Sequence, residues 1–219
     1  MERINDALTS RYERVVLAWL CQRLPGWVTS DMLTAVGVFG AALCFVGYWQ
    51  SLNSPAFLWL ACVGLLLNWF GDSLDGSLAR ARQAERRQYG FFLDHMTDTL
   101  AMGLIALGIG ASPFASFVSS AAVLIGYYAM VILTLTTSVA TGVFRISFNR
   151  LGPTEIRLFI IACTLSAMMF PPEVYVWQGF ELTAYDAIML VLTVLLVGMC
   201  FAQTVRTLRS LAIEDPPRR

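Results

Sequence analysis

Long apolar runs alternate along the chain with short polar connections. A helix that crosses a bilayer needs about 20 mostly apolar residues at 1.5 Å rise each. Six stretches approach or exceed that length: 33–49, 56–79, 90–111, 114–140, 154–171 and 184–205. Ahead of them, Ile4, Leu8, Tyr12, Val15, Val16, Trp19 and Leu20 recur at helical spacing, with Asp6, Ser10, Glu13 and Arg14 on the other side. That pattern predicts an amphipathic helix within 1–25 lying in the membrane interface, with a first helix packed on the bundle as the alternative. Charges interrupt every apolar run there, so the segment does not read as a signal peptide. The pattern as a whole predicts an all-α membrane protein. An interfacial helix (1–25) precedes a six-helix membrane domain (26–210) and a polar C-terminal tail (211–219).

Composition strengthens this reading. Of the 219 residues, 57% are hydrophobic and only 14% charged, where soluble domains carry about a quarter charged residues. A disordered chain, a nucleic-acid binder and a disulfide-rich secreted module are excluded. The five cysteines are scattered without paired spacing, so they read as small hydrophobes. Net charge is +0, and all 15 basic residues are Arg. Their distribution is uneven. Arg3, Arg11, Arg14 and Arg23 precede the first span, and Arg80, Arg82, Arg86 and Arg87 lie between the second and third. Arg145, Arg150 and Arg157 flank the connection of the fourth and fifth, and Arg206, Arg209, Arg218 and Arg219 follow the sixth. The alternate connections hold none. The positive-inside rule then places both termini in the cytoplasm, which requires an even number of spans.

Four carboxylates sit in or beside the second and third spans. Asp72 and Asp75 are i,i+3, and Asp94 and Asp98 are i,i+4, so each pair shares a helix face. The two spans are joined by a short connection and form an antiparallel hairpin. Each charge costs about 2.5–3.5 kcal/mol at the centre of a spanning helix. Arg80 and Arg82 could neutralise two of the four in a purely structural network. Mg²⁺ or Mn²⁺ meets the problem more directly, since these ions take hard oxygen ligands and leave room for substrate phosphates. Two such ions can hold a diphosphate and stabilise charge that develops on displacement. Gly76 and Ala79, one turn beyond Asp72 and Asp75, leave a groove for a nucleotide. The sole histidine, His95, reads as a packing residue. Tyr127 and Tyr128 read as polar groups satisfied within the bundle.

Three function classes remain at this point. One is a phosphotransferase, and another is an intramembrane prenyltransferase that also holds a diphosphate through metal-bound aspartates. Asp75 and Asp94 are only 19 positions apart, closer than the distant acidic motifs of the latter. The third is a divalent-cation transporter, whose carboxylates would line a path through the membrane instead of clustering at one end.

Asp72-x-x-Asp75-Gly76-x-x-Ala79-Arg80, nine residues, then Gly90-x-x-x-Asp94-x-x-x-Asp98 resembles the signature of the CDP-alcohol phosphotransferase family. The motif fixes eight residues over 27 positions. The resemblance implies transfer of a substituted phosphate from a CDP-linked donor to an alcohol hydroxyl, with release of CMP, in phospholipid synthesis. It implies Asp72, Asp75 and Asp94 as metal ligands, and Asp98 as the base toward the attacking hydroxyl and a further ligand. It implies Gly76, Ala79 and Arg80 as CDP-donor contacts, and a homodimer in the lipid bilayer. Thr29-Ser30-Asp31-Met32-Leu33-Thr34 resembles the family's entry to its first span, with Ser30 in place of Pro, and adds Asp31 and Thr34 to the donor site. Asp31 also reads as a helix N-cap.

That entry and the compact length resemble members that use CDP-diacylglycerol as donor and a polar acceptor such as inositol phosphate or glycerol phosphate. Asp94-His95-x-x-Asp98-Thr99-Leu100 is instead similar to enzymes that pass CDP-choline or CDP-ethanolamine head groups to diacylglycerol. The regional resemblance to inositol-phosphate-using members implies Arg145 and Arg157, at the cytoplasmic ends of the fourth and fifth spans, as acceptor-binding residues, with Arg gripping phosphate by parallel hydrogen bonds. Orientation by the positive-inside rule alone is the alternative. Glu155 could bind a cationic head group or pair with Arg157.

Overall fold

A computed structural model describes residues 3–4, 10–142, 144–145, 152–170, 172–177 and 180–214. Seven helices carry the fold: α1 (Ser10–Arg23), α2 (Ser30–Gln50), α3 (Leu58–Ala81), α4 (Arg87–Gly110), α5 (Phe117–Thr141), α6 (Pro153–Met169) and α7 (Ala184–Glu214). A two-residue strand Arg3–Ile4 pairs in parallel with Phe144–Arg145, and Tyr175–Trp177 pairs with Phe180–Leu182 as a short hairpin.

Helix boundaries follow local chemistry. The Thr29 hydroxyl accepts the Met32 amide at 3.2 Å and starts α2, so Thr29, not Asp31, is the N-cap. Gly142, at φ 74°, closes α5 in the left-handed conformation that glycine adopts without penalty. Pro153 sits in the first turn of α6, where its missing N–H costs nothing. The Glu155 carboxylate accepts the Gly152 amide at 2.9 Å. Glu155 therefore caps α6. Two carboxylate oxygens of Asp186 join the starts of α5 and α7: one accepts from the Ser116 amide at 2.7 Å, the other from the Thr183 amide at 2.8 Å.

The described elements depart from the expected bounds at three places. Ile4 belongs to a strand, and the first helix described is Ser10–Arg23. Among the described residues five helices, α2 to α5 and α7, are long and apolar enough to cross a membrane, with the α3 segment counted from Pro55. The sixth, α6, has 17 residues. Pro171 and Pro172 follow it in sequence, and proline can neither donate to the helix ladder nor leave its predecessor helical. At the other end of the chain, α7 continues through Arg206 and Arg209 to Glu214, past the expected limit of 205 and into the expected tail.

Packing centres on α2 and α3, which touch backbone to backbone. A Cβ at Gly40 would come within 2.7 Å of the Gly64 carbonyl oxygen and closer still to the Asn68 amide. Small residues at such crossings let helices approach where lipid supplies no hydrophobic drive. One apolar cluster joins α2, α3 and α4 through Cys44, Tyr48, Leu58, Leu65 and Ile105. A second seats α1 on α2 and α3 through Leu17, Cys21, Leu33, Leu74 and Leu78. Helix α1 thus packs on the bundle while Val15, Val16 and Trp19 stay exposed. Large apolar side chains also face outward from every other helix, among them Phe39, Ile125, Val139 and Phe201. Water-soluble monomers rarely expose apolar surface so widely. These surfaces and the apolar helices describe a multi-pass membrane protein.

Candidate metal and phosphotransfer site

The close α2–α3 contact sets the back wall of the site, and α4 brings in the opposing carboxylates. Oxygens of Asp72, Asp94 and Asp98 all lie within 4.8 Å of one another. At that separation two unit charges repel by about 3–4 kcal/mol at an effective dielectric of about 20. Cations beside the cluster would relieve that repulsion.

Asp75 stands outside this triad and bonds elsewhere. Its Oδ2 accepts the Thr34 hydroxyl at 2.6 Å, and its Oδ1 accepts the Gly76 amide at 2.5 Å. It lines the same small polar cavity as Thr34, Asn68, Asp72, Thr97 and Asp98. Asp72, Asp75 and Asp98 thus border one space, and Asp94 adjoins it through its oxygen near those of Asp72 and Asp98.

Neither Arg80 nor Arg82 neutralises them, which overturns that structural network. Arg82 is spent on the loop between α1 and α2, where it donates to the carbonyls of Leu24, Pro25, Gly26 and Val28. Arg80 is exposed and donates to the Ser77 hydroxyl at 3.1 Å. The cation comes from α6 instead. Arg157, 5% exposed, places Nη2 at 2.8 Å from Asp72 and 4.0 Å from Asp98. Its Nε donates to Asn68 Oδ1 at 2.8 Å, while Nη1 is buried without a hydrogen-bond partner.

Of the residues expected at the CDP donor, Thr34 lines this cavity. Asp31 pairs with Arg86 at 2.5 Å, and the Arg86 guanidinium stacks over Tyr89. Gly76 is open except for the flexible Arg80 side chain, whose Nη1 would stand 3.3 Å from a Cβ there. Ala79 is half-buried on the same helix. His95 bonds the Phe91 carbonyl at 2.8 Å and stacks on the Phe91 ring, one turn back along α4. The backbone of Arg145 belongs to a short strand, but its side chain lies outside the described residues.

A family model for CDP-alcohol phosphatidyltransferase matches residues 27–199. The chain belongs to this family. Family membership implies phosphotransfer from a CDP-alcohol to an alcohol acceptor in a membrane, and family members use divalent metals. No curated protein matches the chain. The carboxylates fit such a metal on their own chemistry. Three hard oxygen donors within 4.8 Å face a single guanidinium, which leaves negative charge for divalent ions to balance.

Two polar residues that tie the helices around these aspartates escaped the sequence reading. Asn68, 2% exposed, lies one turn before Asp72 and links Arg157 to the Gly37 carbonyl. An amide within a hydrocarbon-length run was the available signal. Glu13 Oε1 accepts from Trp69 Nε1 and the Ser73 hydroxyl at 3.1 Å each and from the Thr154 hydroxyl at 2.7 Å. It ties α1 to both α3 and α6.

Proposed function

We propose that the protein transfers a phosphatidyl group from CDP-diacylglycerol to the hydroxyl of a phosphate-bearing polar alcohol, such as inositol phosphate or glycerol phosphate, and releases CMP. The observation that carries this reading is Arg157 Nη1, a buried guanidinium nitrogen beside the carboxylates with no partner of its own. Leaving a buried charged donor unsatisfied costs at least about 1–3 kcal/mol, and an acceptor phosphate would satisfy it with a charge-assisted bond. A choline or ethanolamine head group offers that nitrogen no anion, and His95, the residue shared with the aminoalcohol run, is engaged with its own helix.

On this reading Asp72, Asp75, Asp94 and Asp98 hold Mg²⁺ or Mn²⁺, two ions in all. Bound there, the ions would supply charge neutralisation for the diphosphate and the departing CMP. Asp98 is 34% exposed at its side chain, with its Oδ1 4.0 Å from Arg157 Nη2. It takes the proton from the acceptor hydroxyl as the oxygen attacks the phosphorus that carries diacylglycerol. The new P–O bond forms, the bond to the bridging oxygen breaks, and CMP leaves with its phosphate. Asp31, Thr34, Gly76, Ala79 and Arg80 contact the CDP donor. The contacts recorded for Thr34 and Asp31, to Asp75 and Arg86, are those the donor would share or displace. Arg145 joins Arg157 at the acceptor.

We place α6 across the membrane as a sixth, short span. The termini and the site then face the cytoplasm of the cell membrane, where the Arg-bearing connections belong. The homodimer implied by the resemblance is part of the same reading, and the mass of the detergent-purified protein tests it. The reaction itself is tested by CMP release from CDP-diacylglycerol against CDP-choline, each with a panel of acceptors.

A further inference from the structure

We infer that Asn68 is the positioning residue for Arg157, the part that turns a charge-balancing arginine into an aimed anion site. The inference rests on the assignment of Arg157 to the acceptor and adds what holds it in place. Asn68 and Asp72 are i,i+4 on α3, so their side chains leave the helix on one face. Both grip the same guanidinium. Asn68 Oδ1 takes Nε at 2.8 Å, and Asp72 Oδ2 takes Nη2 at 2.8 Å. A single ion pair would let the planar group pivot about its contact. Two contacts at different nitrogens fix the plane, and Nη1 is left over, buried and unpartnered.

The amide itself has no freedom to turn. Asn68 Nδ2 donates to the Gly37 carbonyl at 3.0 Å. A carbonyl only accepts and the Arg Nε–H only donates, so one orientation of the amide satisfies both. The carbonyl is in turn a fixed point, because α2 and α3 are in backbone contact. A Cβ added at Gly37 would stand 3.3 Å from the Asp72 amide and 3.5 Å from the Asn68 carbonyl. The chain of support runs from the α2 backbone through Asn68 to the guanidinium, with no water-exposed member. A buried amide that served only packing would not need to meet a side chain that carries an unpartnered buried donor.

The test uses full-length protein in liposomes, with Mg²⁺, CDP-diacylglycerol as donor, and glycerol phosphate and inositol phosphate as alternative acceptors. Asn68→Leu should raise the KM for the active acceptor about 10-fold, while the Kd for CDP-diacylglycerol stays within about twofold. Asn68→Asp keeps an oxygen for Arg157 Nε but loses the donor to the Gly37 carbonyl, so it should recover only part of the acceptor affinity. Asn68→Gln moves that oxygen by a methylene and should not. In an Arg157→Ala background, Asn68→Leu should add nothing to the acceptor KM, because a positioning residue acts only through what it positions. An unchanged acceptor KM in Asn68→Leu, or additive effects in the double variant, would overturn the inference. Should Asn68→Leu fail to fold, Asn68→Asp and Asn68→Gln decide the matter, and equal acceptor KM values for the two overturn it. If Arg157→Ala itself leaves the acceptor KM unchanged, the acceptor assignment falls and Asn68 with it. If Arg157→Ala raises KM and Asn68→Leu does not, only the role of Asn68 is lost.

Discussion

Replacing Arg157 separates charge from aim at the acceptor site. Arg157→Ala removes the guanidinium that stands 2.8 Å from Asp72 and offers Nη1 to the acceptor. A hydrogen bond to a charged group contributes about 1.5–3 kcal/mol. At 1.36 kcal/mol per decade, losing one such bond to the acceptor phosphate raises its KM about 10- to 150-fold. Arg157→Lys keeps a positive charge near Asp72 and Asp98, but a single ammonium cannot bond Asn68 and Asp72 and still present a third nitrogen in their plane. Its acceptor KM should lie nearer the alanine value than the wild-type value. The assay is initial-rate CMP release at saturating Mg²⁺ and donor, with acceptor varied, alongside direct measurement of CDP-diacylglycerol binding. Donor binding that weakens as much as acceptor use would refute the reasoning, and so would wild-type kinetics in Arg157→Lys.

Excess chelator should abolish turnover, and Asp72→Asn or Asp94→Asn should do the same while the protein still inserts and purifies; full activity in chelator would remove the metal from the account. Asp98→Asn should cut kcat far more than donor affinity, as read from paired turnover and binding measurements. Gly76→Leu fills the open side of α3 beside Arg80, so donor Kd should rise more than tenfold with little change in melting temperature. Glu13→Ala strands three donors on α3 and α6. At about 1 kcal/mol per neutral hydrogen bond, stability should fall by about 2–3 kcal/mol, visible as a drop of several degrees in the thermal unfolding of detergent-solubilised protein.

Much of the framework was legible in the order of residues because its causes are local. Apolar runs of membrane length marked α2 to α5 and the start of α7, and the spacing of Asp72, Asp94 and Asp98 put them on facing surfaces of one hairpin. Where the reading missed, the cause lay far along the chain. Ile4 fits a helical stripe, yet its segment pairs with Phe144–Arg145. Asp31 is a good N-cap by type, but Thr29 takes that place and Asp31 meets Arg86, 55 residues away. Arg80 and Arg82 were the nearest cations in sequence, whereas the cation that reaches the aspartates comes from α6. Its contact to Asn68 spans 89 residues, and the contact of Glu13 to Thr154 spans 141. Positive-inside placement explains an arginine at the end of α6 without any partner, so nothing in the local pattern marked Arg157 as buried.

The most direct measurement of the central claim is CMP release by the purified protein in liposomes that contain CDP-diacylglycerol and Mg²⁺, with and without a phosphorylated polar alcohol. The account predicts CMP release that depends on inositol phosphate or glycerol phosphate, with the lipid recovered carrying the acceptor, and none with CDP-choline and diacylglycerol. CMP release from CDP-choline in the presence of diacylglycerol, with CDP-diacylglycerol left intact, would contradict it.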